Sequence, residues 1–304
     1  MPKRYHQAVL VSCEIPWNEK YELMEGAFRE QVRDTIKKFN DLYIFGTAGE
    51  GYAVTIPQFT QIVKIFREET GKPGVNPMVG CIGMSTAQVI ERVGIGYDAG
   101  FRMFQVALPP WGMVSDNEYM TFFKDVCGAF PNANFLHYNL VRPKRLLYAK
   151  DYLRLQDAVP NLVATKNTLL DIYQTVELAA NTELQHFYSE TQFPVACTFG
   201  EASLLSSFGA YFTKKTKEFF SYGVRRDFDK LIPMQAKYLR IAIEMFEPAA
   251  QMGNLIDGAY DKIVARAAGA EMSMRLLSPY EAVTEEVYQA CVNVVKTKYP
   301  DWIG

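Results

Sequence analysis

No stretch of this chain approaches the roughly 20 consecutive apolar residues needed to span a bilayer, so a membrane-spanning helix is not expected. An excess of one charge is also missing. The 32 basic and 34 acidic residues are spread along the chain and leave a net charge of -2, so no basic face exists for nucleic acid or an anionic membrane. Cysteine is scarce and scattered: Cys13, Cys81, Cys127, Cys197 and Cys291 are odd in number, far apart and never paired as CxxC. That spacing argues against a disulfide framework or a zinc site and reads as buried thiols in a reducing compartment. His137 and His186 lack a second ligand at metal spacing, so both are expected in the core or directly behind site residues. Low-complexity segments and internal repeats are absent, which disfavours solenoids. The opening MPKRYHQAVLVSCEIPW carries basic residues but only a short apolar run before Glu14 and no cleavage site for a secretory signal. A cytoplasmic protein working on a small molecule is the expectation, with no membrane or nucleic-acid partner.

What is present is a rhythm. Short apolar runs at 8–13, 42–47, 76–81, 101–108, 134–139, 162–167, 184–189 and 202–207 alternate with amphipathic segments near 25–38, 56–70, 86–98, 115–128, 149–157, 169–180 and 192–200. Such alternation predicts parallel strands joined by crossover helices. Thr55 before Ile56-Pro57 and Ser115-Asp116 before Glu118 are helix starts, while Gly71, Asp98-Ala99-Gly100 and Pro131 mark stops. Beyond about residue 213 strand signals vanish, and helices are expected near 214–245, with a break around Tyr222-Gly223, and near 253–270 and 282–298. The predicted architecture is an α/β fold, a (β/α)8 TIM barrel over residues 1–225 with a C-terminal helical domain over 226–304.

In such a barrel the active site lies at the carboxyl ends of the strands, and three runs end in polar groups there. The second ends in Gly46-Thr47-Ala48-Gly49-Glu50-Gly51, a turn whose backbone N–H groups could hold a carboxylate or simply close a tight turn. The fifth ends in His137-Tyr138-Asn139 and the sixth in Thr165-Lys166-Asn167. A lysine closing an apolar strand is partly desolvated, which favours its neutral, nucleophilic amine; a lysine reaching solvent from a strand end fits the spacing as well. A tyrosine on the neighbouring strand favours the first reading, because a phenol can shuttle the protons of carbinolamine and imine formation.

Together these residues resemble the dihydrodipicolinate synthase and N-acetylneuraminate lyase family of pyruvate-dependent, Schiff-base class I aldolases. Gly46-Thr47-Ala48-Gly49-Glu50 is similar to the family's GTTGE or GSTGE turn, Tyr138-Asn139 to its YN motif and Lys166 to the lysine of its I-K-E/D strand. Arg275-Leu276-Leu277-Ser278-Pro279 is similar to its closing RLPLxP segment. The resemblance implies a homo-oligomer, a tetramer of tight dimers or a dimer, that works without metal or organic cofactor. It implies that Lys166 attacks the ketone of pyruvate or another 2-oxo acid, that Tyr138 relays protons, that Thr47 orients the phenol, and that the Gly46-Thr47-Ala48 backbone binds the carboxylate. The protonated imine then serves as electron sink while a C3–C4 bond to an aldehyde fragment breaks or forms.

The chain also departs from that pattern. Ala48 replaces a second hydroxyl residue. Leu108-Pro109-Pro110-Trp111-Gly112 stands where synthases of the family carry a tyrosine that reaches a neighbouring subunit, and Trp111 cannot relay a proton; it could wall the pocket or belong to a subunit contact. Pro143 takes the place of an arginine, leaving Arg142 or Arg145 to meet a second carboxylate or to lie in a solvated basic loop. Glu190 is expected to select hydroxyls or an amine on the distal part of the substrate, and Ser203 and Ser206 to contact substrate or to pack. These departures count against a true dihydrodipicolinate synthase and favour a sugar-acid or hydroxy-oxo-acid aldolase. Dehydration of a deoxy-oxo sugar acid is a second enzymatic reading, and a catalytically silent 2-oxo acid-binding paralogue a third.

Overall fold

The computed structural model describes residues 2–168 and 171–303. Its eight strands are β1 (Val9–Ser12), β2 (Asp41–Ile44), β3 (Asn76–Cys81), β4 (Met103–Val106), β5 (Asn134–Asn139), β6 (Leu162–Asn167), β7 (Gln185–Tyr188) and β8 (Ser203–Ser206). All are parallel, and β8 pairs back onto β1 to close the barrel. Each strand is buried on both faces, by the barrel interior and by the helical ring, and so reads as an apolar run without alternation. The predicted runs overlap every strand, and those at 76–81, 134–139 and 162–167 coincide with β3, β5 and β6.

Helices α1 (Glu25–Lys38), α2 (Ile56–Thr70), α3 (Thr86–Asp98), α4 (Asp116–Gly128), α5 (Ala149–Ala158), α6 (Ile172–Asn181), α7 (Phe193–Phe199) and α8 (Thr213–Val224) form the outer ring. Local chemistry sets their ends. Thr55 and Ser115 form capping boxes with Gln58 and Glu118, and the Asp171 carboxylate accepts from Gln174 N at 2.7 Å to start α6. The first two positions of the helix expected at 169–180 lie outside the described residues. The long helix expected over 214–245 is two: the break falls after Val224, where Arg226 takes a left-handed φ of 57°, and α9 (Phe228–Ala250) runs five residues past the expected end. The remaining helices α10 (Asp257–Ala267) and α11 (Glu285–Lys298) are shorter than their sequence patterns; Thr284 caps α11 through Val287 N at 3.3 Å.

Among the described residues the interior holds four apolar clusters, three of them large and the fourth a small group of Ala107, Tyr138 and Leu140. The largest lies between the strands and the helical ring, where His137 and His186 are also buried. A second joins α9, α10 and α11 to Phe208, Tyr211 and Phe212 beyond β8. The third fills the barrel itself with Leu10, Tyr43, Met78, Leu136, Ala164, Phe187 and Leu205. This packed plug floors the barrel, so any ligand must enter from the carboxyl-end face. Among the described residues no helix is long and apolar enough to cross a membrane.

Candidate active site

Above the plug is a cavity of about 120 Å³ lined by Ser12, Tyr43, Thr47, Ala48, Tyr138, Lys166, Thr168, Leu205, Ser206, Ser207, Asp257 and Asp261. Strand register brings its centre together. Tyr138 on β5 is paired with Lys166 on β6, and Ser12 on β1 is paired with Tyr43 on β2. Lys166 is 3% exposed. Its Nζ lies 4.2 Å from the Tyr43 ring centroid and 4.0 Å from that of Tyr138 and donates to Tyr43 Oη at 2.8 Å. Burial, offset in part by Asp261, Asp257 and Glu14, lowers the amine from the ordinary lysine value to about 7. The Tyr138 phenol is pushed the other way, to about 12, by burial.

Thr47 Oγ1 lies 3.2 Å from Tyr138 Oη and also accepts from Arg142 Nη1 at 3.3 Å. Arg142 in turn reaches Asp257 Oδ1 and Oδ2 at 3.3 Å. Arg142 does not itself line the cavity but touches two residues that do, Thr47 and Asp257. Gly46 lies behind the lining. A Cβ there would stand 2.6 Å from Tyr43 Cε2 and 3.4 Å from Lys166 Nζ, so glycine lets the turn close over the tyrosine and the amine. The turn bonds to itself through Glu50 N to Thr47 O and Gly51 N to Gly46 O, both 3.2 Å.

The structure places three further residues named from the sequence away from the cavity wall. Glu190 is not on the cavity wall: its Oε1 accepts from Ser206 Oγ and Ser207 N at 3.0 Å, so the carboxylate braces the end of β8 and presents the two serines instead. Arg145 is spent elsewhere, on Val114 O at 2.9 Å, Asp116 at 2.5 Å and the Tyr119 ring at 4.7 Å. Trp111 is 81% exposed and does not wall the pocket of its own chain. Ser203 is buried, its hydroxyl accepting from Ala8 N at 2.9 Å.

Sequence reasoning missed Ser12, Glu14, Tyr43, Asp257 and Asp261. The last two stand four residues apart on α10 and so share one face, which turns out to face the barrel mouth. That acid pair on a helix with an apolar face was the available signal. Glu14 is 3% exposed, accepts from Ser12 Oγ at 2.5 Å and is raised to about 7 by burial. Asp261 is raised well above the usual carboxylate range by burial and by the charge of Glu14. Missed too was Lys262, fully buried, 2.8 Å from Glu50 Oε1 and donating to Arg275 O. Glu50 also accepts from Trp17 Nε1 at 2.9 Å and Leu277 N at 2.6 Å. One buried ion pair thus ties the glycine turn, α10 and the Arg275–Pro279 segment together.

The model of the dihydrodipicolinate synthetase family matches residues 6–298. Among curated proteins, the N-acetylneuraminate lyase of Shigella boydii serotype 4 is 22% identical over 174 residues, which is 57% of this chain and 58% of the relative. The match thus spans little more than half of that relative's length. Among solved structures, a prophage protein of the dihydrodipicolinic acid synthase family from E. coli K12, solved with pyruvate, superposes with a TM-score of 0.84 at 15% identity, covering 95% of this chain and 97% of the other. The protein CdNal of Clostridium difficile, solved with mannosamine, gives a TM-score of 0.84 at 13% identity over 98% of this chain and all of the other. At these identities the superpositions bear on the fold, which is the closed barrel expected from the alternating runs.

Proposed function

Because the chain belongs to the dihydrodipicolinate synthetase family, we propose that it is a class I aldolase-type lyase in which Lys166 forms a Schiff base with pyruvate or a related 2-oxo acid and a C3–C4 bond to an aldehyde fragment is cleaved or formed. The observation that carries this reading is the Lys166 amine, buried between two tyrosine rings at the floor of the cavity and lowered to about 7. A neutral amine attacks the C2 carbonyl, and loss of water gives the iminium. Cleavage moves the C3–C4 electron pair into the iminium as an enamine, while the C4 hydroxyl loses its proton. Tyr138, braced by Thr47, is the phenol placed to take and return that proton. The substrate carboxylate falls to the Thr47-Ala48 side of the cavity.

The rim supports a choice of aldehyde. Asp257 and Asp261 border the cavity, and the guanidinium beside them, Arg142, is already paired with Asp257. A second substrate carboxylate would meet this acidic rim unfavourably, whereas hydroxyl or amino groups would find acceptors. A hydroxylated or amino-bearing aldehyde, as a sugar or hydroxy-oxo acid would release, fits better than an acidic one. In this reading Trp111 and Met113, both exposed, belong to a subunit contact in a homo-oligomer.

Intact-mass spectrometry after incubation with pyruvate and cyanoborohydride tests the proposal. A single adduct per chain is expected, and its rate of formation should depend on pH with a defined sign. Below about 7 Lys166 is an ammonium and cannot attack, so the rate falls roughly tenfold per pH unit; above about 7 it levels off. Absence of any adduct across a panel of 2-oxo acids, in folded protein, would overturn the reading. Tyr138→Phe should still form the adduct while losing about 10²–10⁴ in turnover; unchanged turnover would remove the phenol from the proton path.

A further inference from the structure

Resting on the reading of Lys166 as the imine-forming amine, we propose that Glu14 receives the proton of the Lys166 ammonium through Tyr43 and Ser12 and exchanges it with solvent through a second, separate cavity. Four observations meet here. Lys166 Nζ donates to Tyr43 Oη at 2.8 Å. Tyr43 is the register partner of Ser12, and the two line the same cavity. Ser12 Oγ donates to Glu14 Oε1 at 2.5 Å. The other carboxylate oxygen, Glu14 Oε2, is buried without a hydrogen-bond partner, and Glu14 lines a narrow cavity of about 40 Å³ between β1, α1, β8 and α10.

That second cavity has room for roughly three waters. At one end it shares Ser12, Ser206, Ser207 and Asp261 with the active-site cavity; at the other it is bordered by Glu30 and Asp34, which are exposed on α1. It therefore leads from Glu14 toward the exposed face of α1, by a way other than the barrel mouth. The alternative route from Tyr138 and Thr47 ends on the Arg142 guanidinium, which keeps its protons at every working pH.

The transfer balances. One proton passes from Lys166 Nζ to Tyr43 Oη, one from Tyr43 Oη to Ser12 Oγ and one from Ser12 Oγ to Glu14. An ammonium and a carboxylate become an amine and a carboxylic acid, and the acid then gives its proton to water in the second cavity. The groups facing Glu14 are Lys166 on β6, Asp261 and Lys262 on α10, Glu50 on the turn after β2, Tyr43 on β2 and the adjacent Cys13. Burial brings both the amine and the Glu14 carboxyl to about 7, so the exchange is close to even and can run in either direction. Glu14 touches no substrate in this scheme and is a positioning residue for the lysine's proton.

Simple electrostatics makes the opposite prediction, which renders the test sharp. The Glu14 charge favours the ammonium form of Lys166, so neutralising it should free the amine and speed its attack. The relay instead predicts that Glu14→Gln slows single-turnover imine formation with saturating pyruvate at least about tenfold at pH 6, where most of the lysine is ammonium, with the deficit closing as pH rises and the free amine takes over. Ser12→Ala, which interrupts the path but keeps the carboxylate, should slow the same step in the same pH-dependent way and serves if Glu14→Gln does not fold. Partial rescue of Glu14→Ala by added formate is a further expected result. Imine formation by both Glu14→Gln and Ser12→Ala as fast as wild type or faster at pH 6, with unmoved pH profiles, overturns the relay alone. A wild-type protein that forms no imine with any 2-oxo acid overturns the aldolase reading, and the relay falls with it.

Discussion

Lys166→Ala is expected to abolish the trapped adduct and to lower kcat/KM by about 10⁴–10⁶, the range that follows removal of a covalent nucleophile. Among the described residues that line the active-site cavity, Lys166 is the only one with an amine, and the other buried lysine, Lys262, is committed to Glu50 and Arg275. No substitute nucleophile is therefore at hand. The fold should tolerate the change, because the variant removes a buried amine that desolvation already disfavours in its charged form and leaves Tyr43 and Tyr138 in place. A circular dichroism melt close to that of the wild type, together with the mass spectrum, separates lost chemistry from lost structure. An adduct that persists in Lys166→Ala would move the nucleophile elsewhere.

Lys262→Met should be the most destabilising of the variants considered, costing about 3–5 kcal/mol, because it strands the Glu50 carboxylate in a site from which water is excluded. The double variant Lys262→Met/Glu50→Gln should recover part of that loss. Glutamine is neutral, and its one amide oxygen keeps an acceptor for only one of Trp17 Nε1 and Leu277 N, which bond to different oxygens of Glu50, so the recovery is incomplete. Urea denaturation of the two variants checks the order, and a double variant less stable than the single would show that the charge of Glu50 is held by its other two donors. Activity should fall with stability in the single variant. Lys262 follows Asp261 directly, so loosening α10 displaces the acidic rim and the Asp257 that holds Arg142.

The family motifs acquire physical reasons in this light. Glu50 closes the glycine turn, and Leu277 belongs to the Arg275–Pro279 segment hundreds of positions downstream in order but in direct contact with it. These two motifs stand apart in sequence because each supplies half of a buried hydrogen-bonded joint. Gly46 has a steric duty more than a binding one, and Glu190 serves the site through the serines it holds.

Much of this protein was determined by its sequence alone, wherever the physics is local. Strands buried on both faces must be short apolar runs, and helices must satisfy their free N–H groups near where they begin, so the eight runs and the Thr55 and Ser115 caps marked the barrel. Lys166 and Tyr138 were legible because each closes such a run, at the face where a barrel keeps its chemistry. Only the tertiary structure decided which other groups meet them. The pairing of β1 with β2 sets Ser12 beside Tyr43, the packing of α10 over the mouth delivers Asp257 and Asp261, and the depth of Glu14 follows from the helices laid against β1. Each of these depends on contacts between residues far apart in the chain, and burial, which sets both the amine of Lys166 and the carboxyl of Glu14 near 7, exists only once those contacts are made.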